Sequence, residues 1–237
     1  MKIKTIILLI VFTLSNIYGQ KTELRVSLNS GLFSFSGQSA AENSQINLYD
    51  QSSNTGYTND PYGSKNGFCY GVSLNLKRVT KSNVIYGIDF GYETLRSKVS
   101  IQSVNGFDGT SPFAKNASGQ TFLNINSLNL NPSVGYRFNI NKFPLDLVGG
   151  FDIGYILKAR EIGNATDMDG IEYSTSLDRK TINYDFRPRV QISTDYKKFG
   201  LYLGYSIGLS NYLEGYIGGV NEAYSRMMRF GITYKLK

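Results

Sequence analysis

Apolar residues alternate with small or polar residues, one by one, between positions 70 and 77 of this chain. The apolar positions are Tyr70, Val72, Leu74 and Leu76, and glycine, serine, asparagine and lysine stand at the four positions that follow them. Successive side chains of a β-strand point to opposite faces, so this segment predicts a strand with one apolar and one polar face. The same alternation returns about eight times, and the fold class it indicates is all-β.

The eight predicted strands are separated by connections that alternate in length. The strands cover about 22–35, 68–78, 84–101, 122–139, 145–159, 181–196, 200–212 and 224–236. Short turns are expected at 80–83, 140–144 and 197–199, and long polar loops at 37–66, 102–121, 160–180 and 213–223. Outer-membrane barrels have brief periplasmic turns and extended external loops. The sequence therefore predicts an eight-stranded antiparallel up-and-down transmembrane β-barrel with short periplasmic turns and long extracellular loops.

The first 19 residues have the layout of a secretory signal peptide. Lys2 and Lys4 precede an apolar run from Ile6 to Leu14, which is too short to cross a bilayer as a helix. Cleavage near Gly19 would leave one barrel domain at 20–237 and would lower the formal charge from +7 to +5, because two lysines and no acids are lost. An exported chain rarely meets nucleic acid, so no nucleic-acid partner is expected despite the positive charge, and the barrel pattern predicts a location in the cell outer membrane of a Gram-negative-type envelope.

The polar faces carry full charges well inside the predicted strands, and this decides which face meets lipid. In a soluble barrel the apolar face would point inward, as in a lipocalin, and these charges would be solvated. In a membrane barrel they would fill the lumen and pair with one another, since an unpaired buried charge is costly. The candidate lumen charge network consists of Asp89, Glu93, Arg137, Asp152, Arg187, Arg189, Asp195 and Arg229.

Glycines on the same polar faces favour the membrane interpretation. Gly71, Gly87 and Gly91 are examples. Solvated strand positions do not need glycine, which weakens a strand, whereas a lumen of about eight strands is narrow enough to need it. The opposite face is continuous and apolar, with aromatic residues toward the strand ends. Candidate aromatic girdles are Tyr86, Phe138, Tyr196 and Tyr234 near the short turns, and Tyr70, Tyr92, Tyr155 and Tyr184 near the long loops.

Two segments carry a resemblance to a known family. The run from Asn129 to Phe138 and the closing run from Arg229 to Leu236 resemble strands of the outer membrane protein beta-barrel domain family, which includes PorT-like small outer-membrane barrels. The resemblance spans nearly all of the mature chain and implies the barrel fold and, for PorT-like members, a part in envelope assembly or secretion. The chain departs from the common pattern at its end, which reads Tyr-Lys-Leu-Lys rather than finishing on an aromatic residue.

Residues for catalysis or metal binding are scarce. The chain has no histidine, which excludes barrel enzymes that use a histidine as general acid or base. Its single cysteine is Cys69. A calcium loop at 167–172 is weakly indicated, but Ile171 stands where an EF-hand has an oxygen ligand. A catalytic carboxylate pair at Asp89 and Glu93 is a weaker interpretation than a structural charge network. We expect no enzyme activity, no cofactor and no metal.

The predicted role is therefore structural, adhesive or surface-binding. The best candidate contact surface is the loop at 37–66, which contains Tyr49, Tyr57 and Tyr62. The expected partners are outer-membrane lipid, the barrel-assembly machinery and an extracellular or envelope protein, and the chain is expected to be a monomer. A narrow pore or an assembly component of an envelope transport or secretion system is one alternative. A soluble lipocalin-like ligand-binding barrel is another.

Overall fold

The computed structural model describes residues 21–140 and 143–236. The predicted signal peptide lies outside these residues. The described chain is one sheet of eleven mostly antiparallel strands, which confirms the all-β class. None of its residues belongs to a helix that could cross a membrane. The strands are β1 (Lys21–Ser36), β2 (Asn43–Asp50), β3 (Thr55–Thr58), β4 (Lys65–Val79), β5 (Val84–Phe107), β6 (Pro112–Ile140), β7 (Phe143–Asp167), β8 (Glu172–Asp178), β9 (Tyr184–Tyr196), β10 (Phe199–Asn211) and β11 (Tyr224–Lys235).

The strand pairings trace a ring of eight antiparallel strands. β1 pairs with β4 and β11, and the ring continues through β5, β6, β7, β9 and β10. These eight strands correspond to the eight predicted segments. Strand pairing in this order satisfies the backbone of each strand on both sides over most of its length and leaves the ring without a free edge. We call this part of the sheet the eight-strand ring.

A second ring stands on the loop end of the first. The long strands β5, β6 and β7 continue past the eight-strand ring, and β8, β3 and β2 complete a circuit with them. Two of the closing contacts, β2 with β5 and β3 with β8, are parallel. We call this part the six-strand ring.

The predicted strand count and three of the four predicted long loops were therefore wrong. The sheet has eleven strands rather than eight, and the 37–66 segment contains β2 and β3. Residues 102–121 belong largely to the β5–β6 hairpin, whose turn covers only 108–111, and residues 160–180 contain the end of β7 and β8. These stretches are rich in serine, asparagine and threonine because their outer face is solvated, and small inward residues such as Ala117 and Ala165 weaken the alternation.

The short turns lie at the end of the eight-strand ring opposite the six-strand ring. β4 and β5 are joined by residues 80–83, where Asn83 adopts a φ of 65°. β9 and β10 are joined by residues 197 and 198, with Lys197 at a φ of 55°. Asparagine adopts this left-handed conformation more readily than most residues, which suits it to the end of a tight turn.

The polarity of β5 inverts at Thr94. Before Thr94, on the side of the short turns, the strand exposes Tyr86, Ile88, Phe90 and Tyr92. In this part Asp89 and Glu93 point toward the lumen. Above Thr94 the same inward face carries the buried residues Leu95, Val99 and Ile101, and the same outward face carries Arg96, Lys98, Ser100 and Gln102. The backbone alternation continues while the chemistry of the two faces exchanges. β6 inverts in the same way at Ser127.

Two apolar clusters fill the interior at and above this inversion. One cluster closes the loop end of the eight-strand ring and contains four aromatic side chains in edge-to-face contact. The centre of the Phe35 ring lies 5.1 Å from Phe33, 5.1 Å from Tyr62 and 4.9 Å from Tyr212 in this cluster. We call it the aromatic plug. The other is the core of the six-strand ring. Its buried members are Ile46, Val99, Ile101, Val104, Ala117, Ala165 and Tyr173.

Candidate functional site

A central charged layer crosses the lumen of the eight-strand ring. Both guanidinium amino groups of Arg229 take part: Nη2 donates to the two carboxylate oxygens of Glu93 at 2.8 Å, and Nη1 donates to Asp152 at 3.0 Å. Arg189 donates to Asp89 at 2.6 Å and lies 3.3 Å from Asp152. These ion pairs link β5, β7, β9 and β11 across the lumen, with two carboxylates on β5 and one on β7.

Arg187 occupies the middle of this layer and is fully buried. Carboxylate oxygens of Asp185, Glu93 and Asp152 surround its guanidinium at 3.5, 3.7 and 3.8 Å. None of its three nitrogens has a hydrogen-bond partner among the described residues. Its charge is thus balanced by neighbouring charges rather than by direct hydrogen bonds, which makes it the least satisfied group of the layer.

A second charged layer lies nearer the short turns. Arg137 forms a bidentate pair with Asp146 at 2.7 and 2.8 Å, and Lys77 donates to the same carboxylate at 2.8 Å. Glu23 accepts from Lys235 at 2.8 Å and also pairs with Arg25, which in turn binds Asp195. Side chains from six strands therefore meet at this end of the lumen.

A third charged contact lies where the two rings join. The buried carboxylate of Glu161 accepts hydrogen bonds from the Thr58 amide at 2.8 Å and from the Arg179 guanidinium at 2.6 Å. Arg179 also donates to the carbonyl of Thr58. These bonds tie β3 to β7 beside the point where β3 joins the six-strand ring.

The eight predicted lumen residues fall into two groups rather than one. Six of them lie in the central layer, whereas Arg137 and Asp195 lie in the layer near the turns. Arg137 contacts Asp146 and Glu23 and is not paired with Asp89 or Glu93. The candidate network omitted several members that the structure brings in. These are Glu23, Arg25, Lys77, Asp146, Asp185 and Lys235.

The omitted residues could have been found from their phase in the strand pattern. Lys77 and Asp146 stand on the polar face of predicted strands, and Glu23 lies in step with Arg25. Asp185 also lies in step with Arg187, at the start of β9. Glu161 and Arg179 gave no such signal, because they fall in a segment that the sequence predicts to be a loop.

Little open space remains in the lumen. The cavity between the two charged layers has a volume of about 30 Å³ and is lined by residues that include Asn75, Asp89 and Arg229. This volume holds roughly one or two water molecules. The aromatic plug closes the lumen above the central layer.

In the described part of the chain, each carboxylate of the two lumen layers has a partner. The carboxylates of the two lumen layers are engaged by arginine, lysine, asparagine or hydroxyl groups, so they serve as counter-ions. Among the residues that the structure describes, no group of three or more possible ligands is placed to hold a metal ion. Cys69 is buried inside the barrel and is a free cysteine.

The weakly indicated calcium loop is a turn held by its own hydrogen bonds. One carboxylate oxygen of Asp167 accepts from the amides of Asp169 and Ile171, both at 2.9 Å. The other accepts from the Tyr173 hydroxyl at 2.9 Å and from Lys115 at 3.3 Å. Burial acts to raise the pKa of Asp167, but these hydrogen bonds outweigh it and lower the pKa below its usual value.

The tyrosines of the predicted contact loop differ in their surroundings. Tyr49 is 63% exposed at the end of β2, and Tyr57 is 39% exposed beneath the Arg179 guanidinium, 5.7 Å from its ring centre. Tyr62 is only 4% exposed because it packs into the aromatic plug, so its prediction as a contact residue was wrong.

Comparisons with known proteins give a likeness of fold. No family model and no curated protein sequence matches the chain, so the resemblance to the PorT-like family stays a prediction. Among solved structures it is similar to small outer-membrane β-barrels. Neisserial surface protein A is 13% identical, with 91% of this chain and 99% of that chain covered and a TM-score of 0.38.

A second solved barrel gives a similar result. Ail, the attachment invasion locus protein of Yersinia pestis, was solved in complex with the heparin analogue sucrose octasulfate; it is 10% identical, with 93% of this chain and 100% of that chain covered and a TM-score of 0.33. Another structure of Ail is 9% identical, with the same coverage and TM-score. At this level of similarity the neighbours assign no role to this chain.

Proposed function

We propose that the chain is an integral outer-membrane β-barrel without catalytic activity, which holds the six-strand ring outside the membrane as a binding or adhesive surface. The observation that carries the proposal is the exchange of polarity along β5, with apolar side chains outside and charges inside below Thr94 and the reverse above it. A strand that passes from lipid into water needs an apolar outer face in lipid and a polar outer face in water, and an apolar inner face beyond the membrane gives the outer part the core of a water-soluble sheet.

The length of the exposed apolar band supports a membrane span. On β6 the outward positions from Leu128 to Phe138 are apolar or proline, and this segment is eleven residues long. A tilted transmembrane strand needs about 9–11 residues. Exposed aromatic residues lie near both ends of the band, as in the girdles of membrane barrels. Examples are Tyr86 and Tyr136 toward the short turns, and Tyr70, Tyr155 and Tyr184 toward the six-strand ring.

A pore is not supported. An open channel would need a continuous aqueous path, whereas the charged layers leave only about 30 Å³ between them. The aromatic plug forms a further barrier at the loop end. The lumen is better suited to hold the barrel wall in one shape than to conduct.

The surface that would meet a partner is the outside and tip of the six-strand ring. Tyr49 and the tip residue Phe107 are both well exposed there. Tyrosine at an exposed rim supplies a large contact area together with a hydroxyl, and it is enriched at protein interfaces. An extracellular or envelope protein is the proposed partner class, and Tyr49 is the proposed contact.

Membrane fractionation followed by gel migration with and without heating tests the proposal. We expect the mature chain in the outer-membrane fraction, with a folded form that migrates differently from the boiled form. Recovery of the folded chain in the soluble periplasm without detergent would instead support the lipocalin-like alternative and would overturn the proposal.

Planar-bilayer recording tests the closed lumen separately. We expect no conductance above that of the empty bilayer. A paired Phe35→Ala and Tyr62→Ala variant removes two rings of the plug and should still not conduct, because both charged layers remain. Steady single-channel currents from the unmodified chain would support the narrow pore.

A further inference from the structure

We propose that a cationic patch on the outer wall binds the phosphate groups of an outer-leaflet lipid. The patch consists of Lys65 on β4 and Arg96 and Lys98 on β5. The inference rests on the proposed function, because it assigns the outer face of the β4–β5 ladder just beyond the apolar band to the lipid headgroup region.

The first observation is the placement of like charges. Lys65 and Lys98 are direct partners in the β4–β5 ladder, and Arg96 lies two residues from Lys98 on the same outward face. Like charges directly opposite each other across antiparallel strands destabilise the pair. An anion bound between them removes this repulsion.

The second observation is that the described structure supplies no counter-ion to the patch. The Nζ of Lys65 donates to the Ser100 hydroxyl at 2.8 Å, and neither it nor Arg96 or Lys98 forms an ion pair with a described residue. Glu42 lies on the neighbouring strand edge, where its carbonyl accepts from the Ser100 amide, and its carboxylate is not paired with the patch.

The third observation is that Arg96 is held in place. Its Nε donates to the Asn124 side chain at 2.7 Å, and its guanidinium lies over the Phe122 ring at 5.3 Å from the centre. Among the described residues no acceptor contacts the terminal amino groups, and the two contacts fix the guanidinium fork that can bind a phosphate through two bonds.

The fourth observation is the position of the patch relative to the apolar band. Arg96 follows the exposed Tyr92 by four residues on β5, and Lys65 precedes the exposed Phe68 by three residues on β4. At about 3.4 Å per residue along tilted strands, the patch lies roughly 10 Å beyond the band. Long cationic side chains reach back to headgroups over such distances.

A neighbouring pair of cations on β7, Lys158 and Arg160, already has a counter-ion and therefore provides the control. Arg160 lies in the same hydrogen-bonded row as Arg96, with Asn124 of β6 between them. Lys158 and Arg160 lie 3.0 and 3.6 Å from the Asp178 carboxylate, so they already have a counter-ion. Replacing Lys158 and Arg160 changes the net charge by the same amount as replacing Arg96 and Lys98, but it leaves the cations of the patch in place.

The test compares the double variants Arg96→Gln/Lys98→Gln and Lys158→Gln/Arg160→Gln, folded in one zwitterionic detergent. Heat-modifiable migration is recorded first. Binding of diphosphoryl lipid A is then measured by native mass spectrometry beside the same lipid with its phosphates removed, with inorganic phosphate as a separate arm.

We expect the unmodified chain to bind the phosphorylated lipid at least about tenfold better than the dephosphorylated one. The β5 variant should lose that preference, and the β7 variant should stay within about twofold of the unmodified chain. Equal losses in the two variants would indicate general charge attraction and would overturn the inference, as would equal binding by all three chains.

The inorganic phosphate arm separates the two sources of a phosphate. Saturation of the patch by free phosphate, with no preference for the lipid, would also overturn the inference. If the unmodified chain fails to show a heat-modifiable folded form, the proposed function fails together with the inference. If it folds normally and only the lipid preference is missing, the inference alone fails.

Discussion

The two rings are built partly from the same strands, yet they obey opposite rules. In the eight-strand ring below the aromatic plug, charges lie inside and apolar side chains outside, whereas in the six-strand ring the apolar side chains lie inside. β5 serves both, with Glu93 and Leu95 as successive inward residues on either side of Thr94. The backbone therefore sets whether a side chain points inward or outward, and the surroundings of each face set whether that side chain is polar or apolar.

The largest expected effect comes from the charged interior of the eight-strand ring. Arg229→Met removes the two donors that hold Glu93 and Asp152 and leaves buried carboxylates short of partners. Breaking a buried ion pair from one side costs about 3–5 kcal/mol. Urea unfolding from lipid vesicles measures the loss.

The control is Arg226→Met, three residues earlier on the same strand and on its exposed face. Substitutions at such exposed positions change the free energy of unfolding by about 0.5 kcal/mol or less. Equal losses at Arg226 and Arg229 would contradict the role given to the lumen charges.

The next largest effect concerns the outer faces. Phe90→Arg places a charge in the middle of the exposed apolar band, where Phe90 is 53% exposed. In a membrane barrel this costs about 2–4 kcal/mol near the bilayer midplane. The same substitution at Gln102, which is exposed on β5 in the six-strand ring, should cost close to nothing because that position faces water.

The measurement is again unfolding from vesicles, with yield of the heat-modifiable form as a second reading. If Phe90→Arg proves as harmless as Gln102→Arg, the exposed band does not lie in lipid.

A smaller effect distinguishes the interior of the six-strand ring from the outside of the eight-strand ring. Ile101→Val removes one methyl group from a buried core and should cost about 0.5–1.5 kcal/mol, since a small cavity remains. Ile88→Val removes the same group from an outward position on the same strand and leaves no cavity. We expect the larger loss at Ile101, read from the same unfolding curves; the reverse order would contradict an apolar core in the six-strand ring.

The smallest effect is a local response to acid at the tip of β7. The folded pKa of Asp167 is lowered, so its hydrogen bonds stabilise the turn fully above the unfolded pKa and are lost as the pH falls through the folded pKa. Amide exchange at Ile171 should therefore rise in strong acid relative to its intrinsic rate. The Asp167→Asn variant should show reduced protection already at neutral pH and a weaker acid response.

The sequence predicted the eight-strand ring more fully than the six-strand ring, and the physical reason is contrast. Along β4 and β5 the period-two pattern sets Leu74 and Phe90, which are exposed, against Asn75 and Asp89, which face the charged lumen. Around Ala117 the outward residues are polar and the inward ones small, so the segment has the composition of a loop.

The candidate site was also predicted only in part. Strand phase placed Arg229, Glu93 and Asp152 on one face, and the structure brings them into contact. The division into two layers depends on strand register, which sets Arg137 opposite Asp146 and which single-strand patterns do not contain. The six-strand ring closes through parallel pairing between β2 and β5. No hairpin joins these two strands, so local sequence patterns do not indicate the contact.

The unbroken passage of β5, β6 and β7 from one ring into the other has a mechanical consequence. From Leu95 to Phe107, β5 continues for 13 residues beyond the inversion, which corresponds to roughly 40 Å of strand. No loop interrupts β5 in this part, although its register with β6 shifts between Ile101 and Ser103, so the strand itself sets the distance between the tip and the barrel wall. A partner that binds the tip would make contact at this distance from the barrel wall. Substitutions at the tip would change that contact without altering the residues of the wall.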